Sequence, residues 1–404
     1  MRLVFITPEY VTEKYFAAGL ANYLGRLCPL LAQRGHEVFV IVRAEKKSPP
    51  FTHNGVTILR VAPSRTTQRI LNAITLRRQP EAAKDIAFSV SARQVVNFLH
   101  RQRRLTYVQC SNVRAVGIAF LLPGRPYAAA TRMSSHRPLW NELAMVRQTK
   151  SAGVRYKLEA LQVRRFPHVY GPSKYLAAII EKECRRKVDV LPTTFYLEPC
   201  VEDASVYEKH LKGLPYLLYF SRLQKHKGVD VLARALPTIL GGNSGLRAVF
   251  VGNDWADRET GSMRSSVREW AGDCADRVIF LDDMRHEQLY PVIRHAEAVV
   301  FPSRIDNLPN ACMEAMALGK PVIASSGASF EELFDDGISG YLFRNGDHED
   351  LARVATEVLR SADRSRVGEA ARERISALHP DRTVPLVEKY ITERVRARSG
   401  GRRE

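Results

Sequence analysis

Residues 2–42 read RLVFITPEYVTEKYFAAGLANYLGRLCPLLAQRGHEVFVIV. Arg2 to Thr7 is a short apolar run closed by Pro8, which reads as a buried strand. A loop follows through Phe16. Gly19 to Arg34 then carries Leu20, Leu24, Leu27, Leu30 and Leu31 at helical spacing, and Gly35-His36 stops that helix. Val38 to Val42 is a second buried strand. Strand, loop, helix and strand in this order make a right-handed βαβ unit of a doubly wound parallel sheet.

The same alternation continues on the carboxyl side. Val56 to Val61, Tyr107 to Cys110 and Tyr127 to Thr131 read as strands, and residues 86–104 as a helix ending in Arg101-Gln102-Arg103-Arg104. From Leu214 the pattern restarts. Tyr216 to Phe220, Arg247 to Val251, Val278 to Leu281, Ala298 to Phe301 and Pro321 to Ala324 are strands. Val229 to Leu240, Leu289 to His295, Asn310 to Leu318 and Asp350 to Arg360 are helices between them. Two successive α/β domains with mainly parallel sheets follow, the boundary falling near 195–213. The spacing predicts a last amphipathic helix over Pro385 to Ala397 and a frayed tail beyond it.

Composition narrows the class. In 404 residues, 45% are hydrophobic and 26% charged, which excludes collagen-like, mostly disordered and disulfide-scaffold chains. The apolar run Ala115 to Leu122 is far shorter than the roughly 20 residues of a membrane-spanning helix. Glu9 and Glu13 make the amino terminus too polar for a signal peptide. Six scattered cysteines without CxxC spacing suggest neither zinc nor disulfides. The expectation is a reduced, cytoplasmic, multidomain protein.

Charge is unevenly spread. The chain is +18 overall, but residues 1–200 are +20 and residues 201–404 are −2. The first half would draw polyanions, anionic lipid headgroups or acidic substrates; an Arg-rich solvated face is the bland account. No nucleic-acid-binding pattern accompanies the charge, so nucleic acid is not an expected partner.

Three places could carry chemistry. Gly19 sits at a loop-to-helix junction after the first strand, where backbone amides are free to hold a phosphate; it serves equally well as a packing residue. Arg222 and Lys227 frame the loop after the strand Tyr216 to Phe220. Two fixed cations there suit a diphosphate, or else form a solvated basic loop. The densest signal is Phe301 to Gly319, FPSRIDNLPNACMEAMALG. It sets Asp306 in a loop, Glu314 about one turn into the next helix, and the amides of Leu308, Asn310 and Ala311 between them. Carboxylates suit vicinal diols because both oxygens accept hydrogen bonds. Taken singly, either acid is an ordinary residue near a helix start.

These stretches resemble a family-four (group 1) retaining glycosyltransferase of the GT-B fold. The resemblance rests on Ala18-Gly19, Arg34-Gly35-His36-Glu37-Val38, Ser221-Arg222, Lys227-Gly228 and Phe250-Val251-Gly252. It rests further on Pro302-Ser303 through Glu314 to Val322, and on Glu332, Asp336-Gly337 and Gly340. It implies two Rossmann-like domains facing across a cleft. Residues 1–200 would bind the acceptor and 201–378 the nucleotide sugar, with 379–404 forming a helix that crosses back and a tail. Closure of the domains would exclude water.

It also implies roles. Arg222 and Lys227 match the pair that binds the donor diphosphate. Asp306 matches the first acid of the E-x7-E motif, which contacts the donor sugar, and is one methylene shorter than the usual Glu. Glu314 matches the second acid, which holds the ribose. Asn307, Leu308, Asn310 and Ala311 would contribute to donor binding, Gly19 would face the donor, and Met284 would lie beside the base. Glu332 matches a family acid, with Ser329 standing where Gly is usual. Arg132 and His136 stand where the family often has an acceptor-side His; Tyr10 and Glu13 would touch the acceptor. Ser173 fits a structural Pro-Ser at the domain edge.

The implied reaction is metal-independent, cofactor-free transfer from a nucleotide-diphosphate sugar to a hydroxyl, with retention. The setting would be polysaccharide, glycolipid or glycoconjugate synthesis. A lipid-linked acceptor and peripheral contact with an anionic membrane fit the +20 first half. Alternatives are transfer to a soluble natural-product core, epimerisation of a sugar nucleotide, or a catalytically silent sugar-binding protein.

Overall fold

The computed structural model describes residues 1–14, 18–46, 48–74, 79–136, 138, 150–255 and 261–400. They fall into two compact units. One holds residues from Met1 to Phe195 together with Pro380 onward; the other is Tyr196–His379.

The first unit contains eight strands: β1 (Arg2–Thr7), β2 (Glu37–Arg43), β3 (Phe51–His53), β4 (Val56–Val61), β5 (Tyr107–Ser111), β6 (Ala128–Arg132), β7 (His168–Gly171) and β8 (Asp189–Val190). Their order in the sheet is β3-β4-β2-β1-β5-β6-β7-β8, and only β3 runs antiparallel. Successive side chains of a strand point to opposite faces. In β1, Val4 and Ile6 therefore join the core beneath the helix Pro80–Arg103, with Phe88 and Val96. Leu3 and Phe5 join the other core, beneath Ala18–Gln33. Both faces are covered, so β1 and β2 read as unbroken apolar runs rather than alternating ones. The last helix, Pro380–Gly400, starts five residues before the expected Pro385, because proline is well tolerated in a helix's first turn. It lays Val384, Val387 and Ile391 on the second core of this unit.

The second unit contains β9 (Tyr216–Phe220), β10 (Arg247–Val251), β11 (Val278–Leu281), β12 (Ala298–Phe301), β13 (Val322–Ser325) and β14 (Tyr341–Phe343). All pairs are parallel, in the order β11-β10-β9-β12-β13-β14. From β9 the chain winds one way through β10 and β11. It then returns to lay β12 against the other side of β9. Connections on the two sides of that reversal leave in opposite directions, so the carboxyl ends of β9 and β12 open a crevice. Open α/β sheets bind ligands at such a point. Among the described residues, no helix is long and apolar enough to cross a membrane.

Candidate active site

The loops after β9 and β12 hold Arg222, Lys227, Asp306, Asn307 and Leu308 of the predicted site. They are pressed together at Gly228, which adopts φ +70°; a Cβ there would lie 1.7 Å from the Pro302 carbonyl oxygen. Only glycine fits both the left-handed backbone and that approach. The Tyr219 hydroxyl donates to the Arg222 carbonyl at 2.8 Å and fixes the start of the first loop. Arg304, which the sequence did not single out, ties the two loops together. Its guanidinium grips Asp230 through two bonds of 2.6 Å and also donates to the Lys225 carbonyl.

Lys227 and Asp306 meet inside this junction. Lys227 Nζ lies 2.5 Å from Asp306 Oδ2, with both side chains only 10% exposed. Ser303 Oγ donates to the same oxygen at 3.2 Å, and the Asn307 amide donates to Oδ1 at 3.0 Å. Three of the roughly four acceptor positions of this carboxylate are thus used within the protein. Its first task is to hold the lysine, and one position remains for a ligand hydroxyl.

Arg222 is exposed, and its guanidinium makes no hydrogen bond or ion pair among the described residues. Its charge is felt by His226. Burial, then Lys227 and then Arg222, push that imidazole down to about 4, so it is neutral at pH 7. The loop therefore offers an exposed guanidinium beside a buried ammonium.

The segment that follows is strained and held by Ser329. Leu308 has φ +51° and Ser329 φ +66°, unusual for residues with side chains. Ser329 Oγ accepts from the Leu308 amide and donates to the Asp306 carbonyl, both at 3.1 Å. A hydroxyl standing where the family has glycine is thereby explained: it fastens the 306–308 turn. The expectation that the Leu308 amide is open to a ligand is corrected, since Ser329 occupies it. Asn310 and Ala311 open the helix Asn310–Ala317, whose first amides have no intrahelical acceptor.

Glu314 lies one turn into that helix and is buried. His286 was missed by sequence reasoning, and it stands at the start of the helix His286–Arg294, two residues after the half-buried Met284. Its Nε2 is 3.6 Å from Glu314 Oε1 and its Nδ1 3.3 Å from Glu198 Oε2. Hydrogen bonding to Glu198, then to Glu314, raises the imidazole to about 10, against the opposition of partial burial. An imidazolium thus bridges two carboxylates at neutral pH. No single stretch of sequence signals it, because residues 198, 286 and 314 meet only in the fold. Glu332 lies half-buried in the short turn after Ser329.

In the first unit, Gly19 lies in the first turn of Ala18–Gln33. A Cβ there would meet nothing within 4 Å, so packing does not demand the glycine. Tyr10 is corrected: it is fully buried among Leu20, Leu24 and Leu27 and presents nothing to an acceptor. Glu13 is tied to Arg60 at 2.9 Å. Arg132 is buried with its guanidinium over the Tyr23 ring, 3.6 Å from the centroid, and donates to Ser134 Oγ. His136 is also buried, its Nε2 2.8 Å from Glu183 Oε2. Arg132 ends β6 and His136 lies in the loop that follows, and both are engaged within the protein. Arg137 lies outside the described residues. Ser173 caps the helix Lys174–Cys184 by accepting from the Leu176 amide.

Residues 203–374 match the family described as "Glycosyl transferases group 1". The chain is 32% identical over 185 residues to the D-inositol 3-phosphate glycosyltransferase of Acidothermus cellulolyticus. That stretch covers 43% of this chain and 40% of the relative, so the match spans less than half of either. Sucrose-phosphate synthase from Thermosynechococcus elongatus superposes with a TM-score of 0.78 at 19% identity, covering 98% of this chain and 99% of that one. HepE of Anabaena, solved with UDP-glucose, gives 0.67 at 16% identity over 98% and 100%. The chain thus has the GT-B fold of these solved structures, and its residues 203–374 are similar to the group 1 glycosyl transferases.

Proposed function

We propose that this protein moves a sugar from a nucleoside-diphosphate sugar to a hydroxyl acceptor with retention of anomeric configuration. The observation that carries this reading is the group at the ends of β9 and β12: buried Lys227 held by Asp306, exposed Arg222 beside it, and Glu314 on the helix that follows. Arg222 and Lys227 neutralise the diphosphate as it leaves. Glu314, steadied by His286, accepts from the ribose hydroxyls. Preorganised cations aimed at developing negative charge are commonly the largest single source of rate. The bond from the anomeric carbon to the diphosphate oxygen breaks, and its electron pair stays on that oxygen. The acceptor oxygen bonds to the same face of the sugar and gives its proton to a phosphate oxygen of the departing group. Two protein cations supply the countercharge, so the transfer needs no added metal.

Because the relative HepE is seen with UDP-glucose, UDP-sugars come first in the test. A panel of nucleotide sugars is screened by thermal shift. A true donor at 100 times its dissociation constant adds about 2.7 kcal/mol. The hit is then assayed for transfer with and without EDTA, and the product's anomeric configuration is read by NMR. Inversion, or loss of activity in EDTA, rejects those parts of the proposal. Unchanged turnover in both Arg222→Ala and Lys227→Ala rejects the site.

The acceptor is proposed to be lipid-linked, with the first unit resting on an anionic membrane. The support is the +20 charge of residues 1–200 and the helix Arg65–Ile74. That helix buries none of its residues and exposes Ile70 and Ile74 beside Arg65 and Arg69. Salt-sensitive binding to anionic vesicles, lost in Ile70→Gln/Ile74→Gln, is expected; no binding rejects it.

A further inference from the structure

We infer that the first unit carries a second anion site, shaped for a phosphomonoester or similar tetrahedral dianion, in a cavity walled by Arg125, Arg394 and Arg398. The cavity has a volume of about 470 Å³ and is also lined by Tyr127 and His168. It lies where β6 and β7 begin and where the last turns of Pro380–Gly400 pass over them. Arg132, at the far end of β6, is about 13 Å away by strand rise, so this is the opposite edge of the sheet from Gly19 and Arg132. It shares no residue with the diphosphate site of the second unit, and the inference stands whether or not that site is correct.

Charge is the first argument. Three guanidiniums line the space. Arg394 is answered by Asp189 at 2.8 Å and by Glu393 at 3.3 Å. Arg125 has no carboxylate partner among the described residues. Arg398 Nη2 donates to the Arg125 carbonyl, which brings two like charges together. Arg186 lies outside the lining but near enough to act on His168, and donates to the Phe166 and Pro167 carbonyls at 2.6 Å each.

Unmet hydrogen bonding is the second argument. Arg125 Nη1 and the Tyr127 hydroxyl are buried without a hydrogen-bond partner among the described residues, and Tyr127 is only 2% exposed. Buried donors that go unmet are costly, and a buried cation more so, unless an acceptor arrives. Burial, then the charge of Arg398, holds the Arg125 guanidinium below its usual range; burial, then Arg394, lowers His168. A dianion with several acceptor oxygens would relieve all of these at once, since Arg binds such groups in forked pairs. The volume admits a phosphate carrying a sugar-sized group. The phosphate could arrive on a soluble metabolite or on a lipid headgroup.

Inorganic phosphate is the first probe, titrated into the full chain by calorimetry and thermal shift. Saturable binding and a rise in Tm are expected, weakened at least tenfold in Arg125→Gln and in Arg398→Gln and kept in Arg222→Ala. Arg398 lies at a half-exposed helix end, so its variant tests the site even where Arg125→Gln fails to fold. Vesicles of phosphatidylcholine with or without phosphatidic acid form the second arm. Sedimentation with phosphatidic acid that is lost in Arg398→Gln, without a response to free phosphate, assigns the group to a lipid. No binding in either arm, or binding that Arg398→Gln leaves unchanged, overturns the inference.

Discussion

Lys227 and Asp306 are 79 residues apart in sequence and form a buried ion pair of 2.5 Å at the carboxyl ends of β9 and β12. The pair fixes the ammonium where the two loops meet, so each partner's loss exposes the other's cost. Removing one member of a buried pair leaves an uncompensated charge. Lys227→Ala is expected to lower kcat on the order of 10²- to 10³-fold, the range seen for loss of one preorganised donor. Asp306→Asn should also lower kcat, because Lys227 is no longer steered. The double variant Lys227→Ala/Asp306→Asn should lose less than the two single losses added together. Kinetics on the four proteins of this cycle measure the coupling, and strict additivity would show that the pair does not act as a unit.

Gly228 transmits that arrangement through the backbone. Gly228→Ala would set a methyl 1.7 Å from the Pro302 carbonyl oxygen and force an alanine to φ +70°. Overpacking costs about 1–3 kcal/mol, and the backbone strain adds to it. The loops after β9 and β12 must then part, which moves Lys227 from Asp306. The expected result is a lower denaturant midpoint together with loss of nucleotide binding. A stable variant that binds nucleotide normally would show that the loop contact is not required.

Four of the six strands of the second unit were legible to the residue: Tyr216–Phe220, Arg247–Val251, Val278–Leu281 and Ala298–Phe301 have the same ends in sequence and structure, whereas the expected Pro321–Ala324 is Val322–Ser325, since proline has no amide to give a ladder, and the short Tyr341–Phe343 was not read. Three of the four are buried almost throughout and the edge strand Val278–Leu281 is half-buried at its centre, and apolar runs of that kind stop where the chain meets solvent. The helix Arg65–Ile74 was not legible, because it buries no residue and so leaves no core stripe in the sequence. His168–Gly171 escaped because only Val169 and Tyr170 of its four residues are apolar, whereas Val278–Leu281 and Ala298–Phe301 are apolar throughout. Arg222 and Lys227 could be placed in the loop after β9, and Glu314 on the helix after β12, because such positions follow from local order. Partnerships could not. Tyr10 looked like a loop residue and is core, while His286 drew no reading from the sequence and bridges Glu198 and Glu314. Long-range pairing is a property of the fold, not of any window of sequence.

Ser329 separates backbone strain from hydrogen bonding. Ser329→Ala keeps an unfavourable φ of +66° and deletes both hydroxyl bonds to the 306–308 turn. Ser329→Gly deletes the same bonds but relieves the strain. The alanine variant should therefore be less stable than the glycine variant by about 1 kcal/mol, with donor affinity reduced in both. Equal stability would mean that the left-handed backbone at this position carries no strain.

The imidazolium of His286 makes the second unit sensitive to alkaline pH. Its folded value of about 10 lies above the ordinary 6.5, because Glu198 and then Glu314 favour the charged form. The folded state therefore binds the proton more tightly than the unfolded state. The resulting stabilisation is complete below about pH 6.5 and fades as pH rises through 10. Urea midpoints of the wild type should fall between pH 7 and 10 more steeply than those of His286→Gln, which has no proton to lose at this position. Nucleotide affinity should follow the same difference, since neutral His286 no longer steadies Glu314. Parallel pH profiles in the two proteins would show that the bridge contributes nothing.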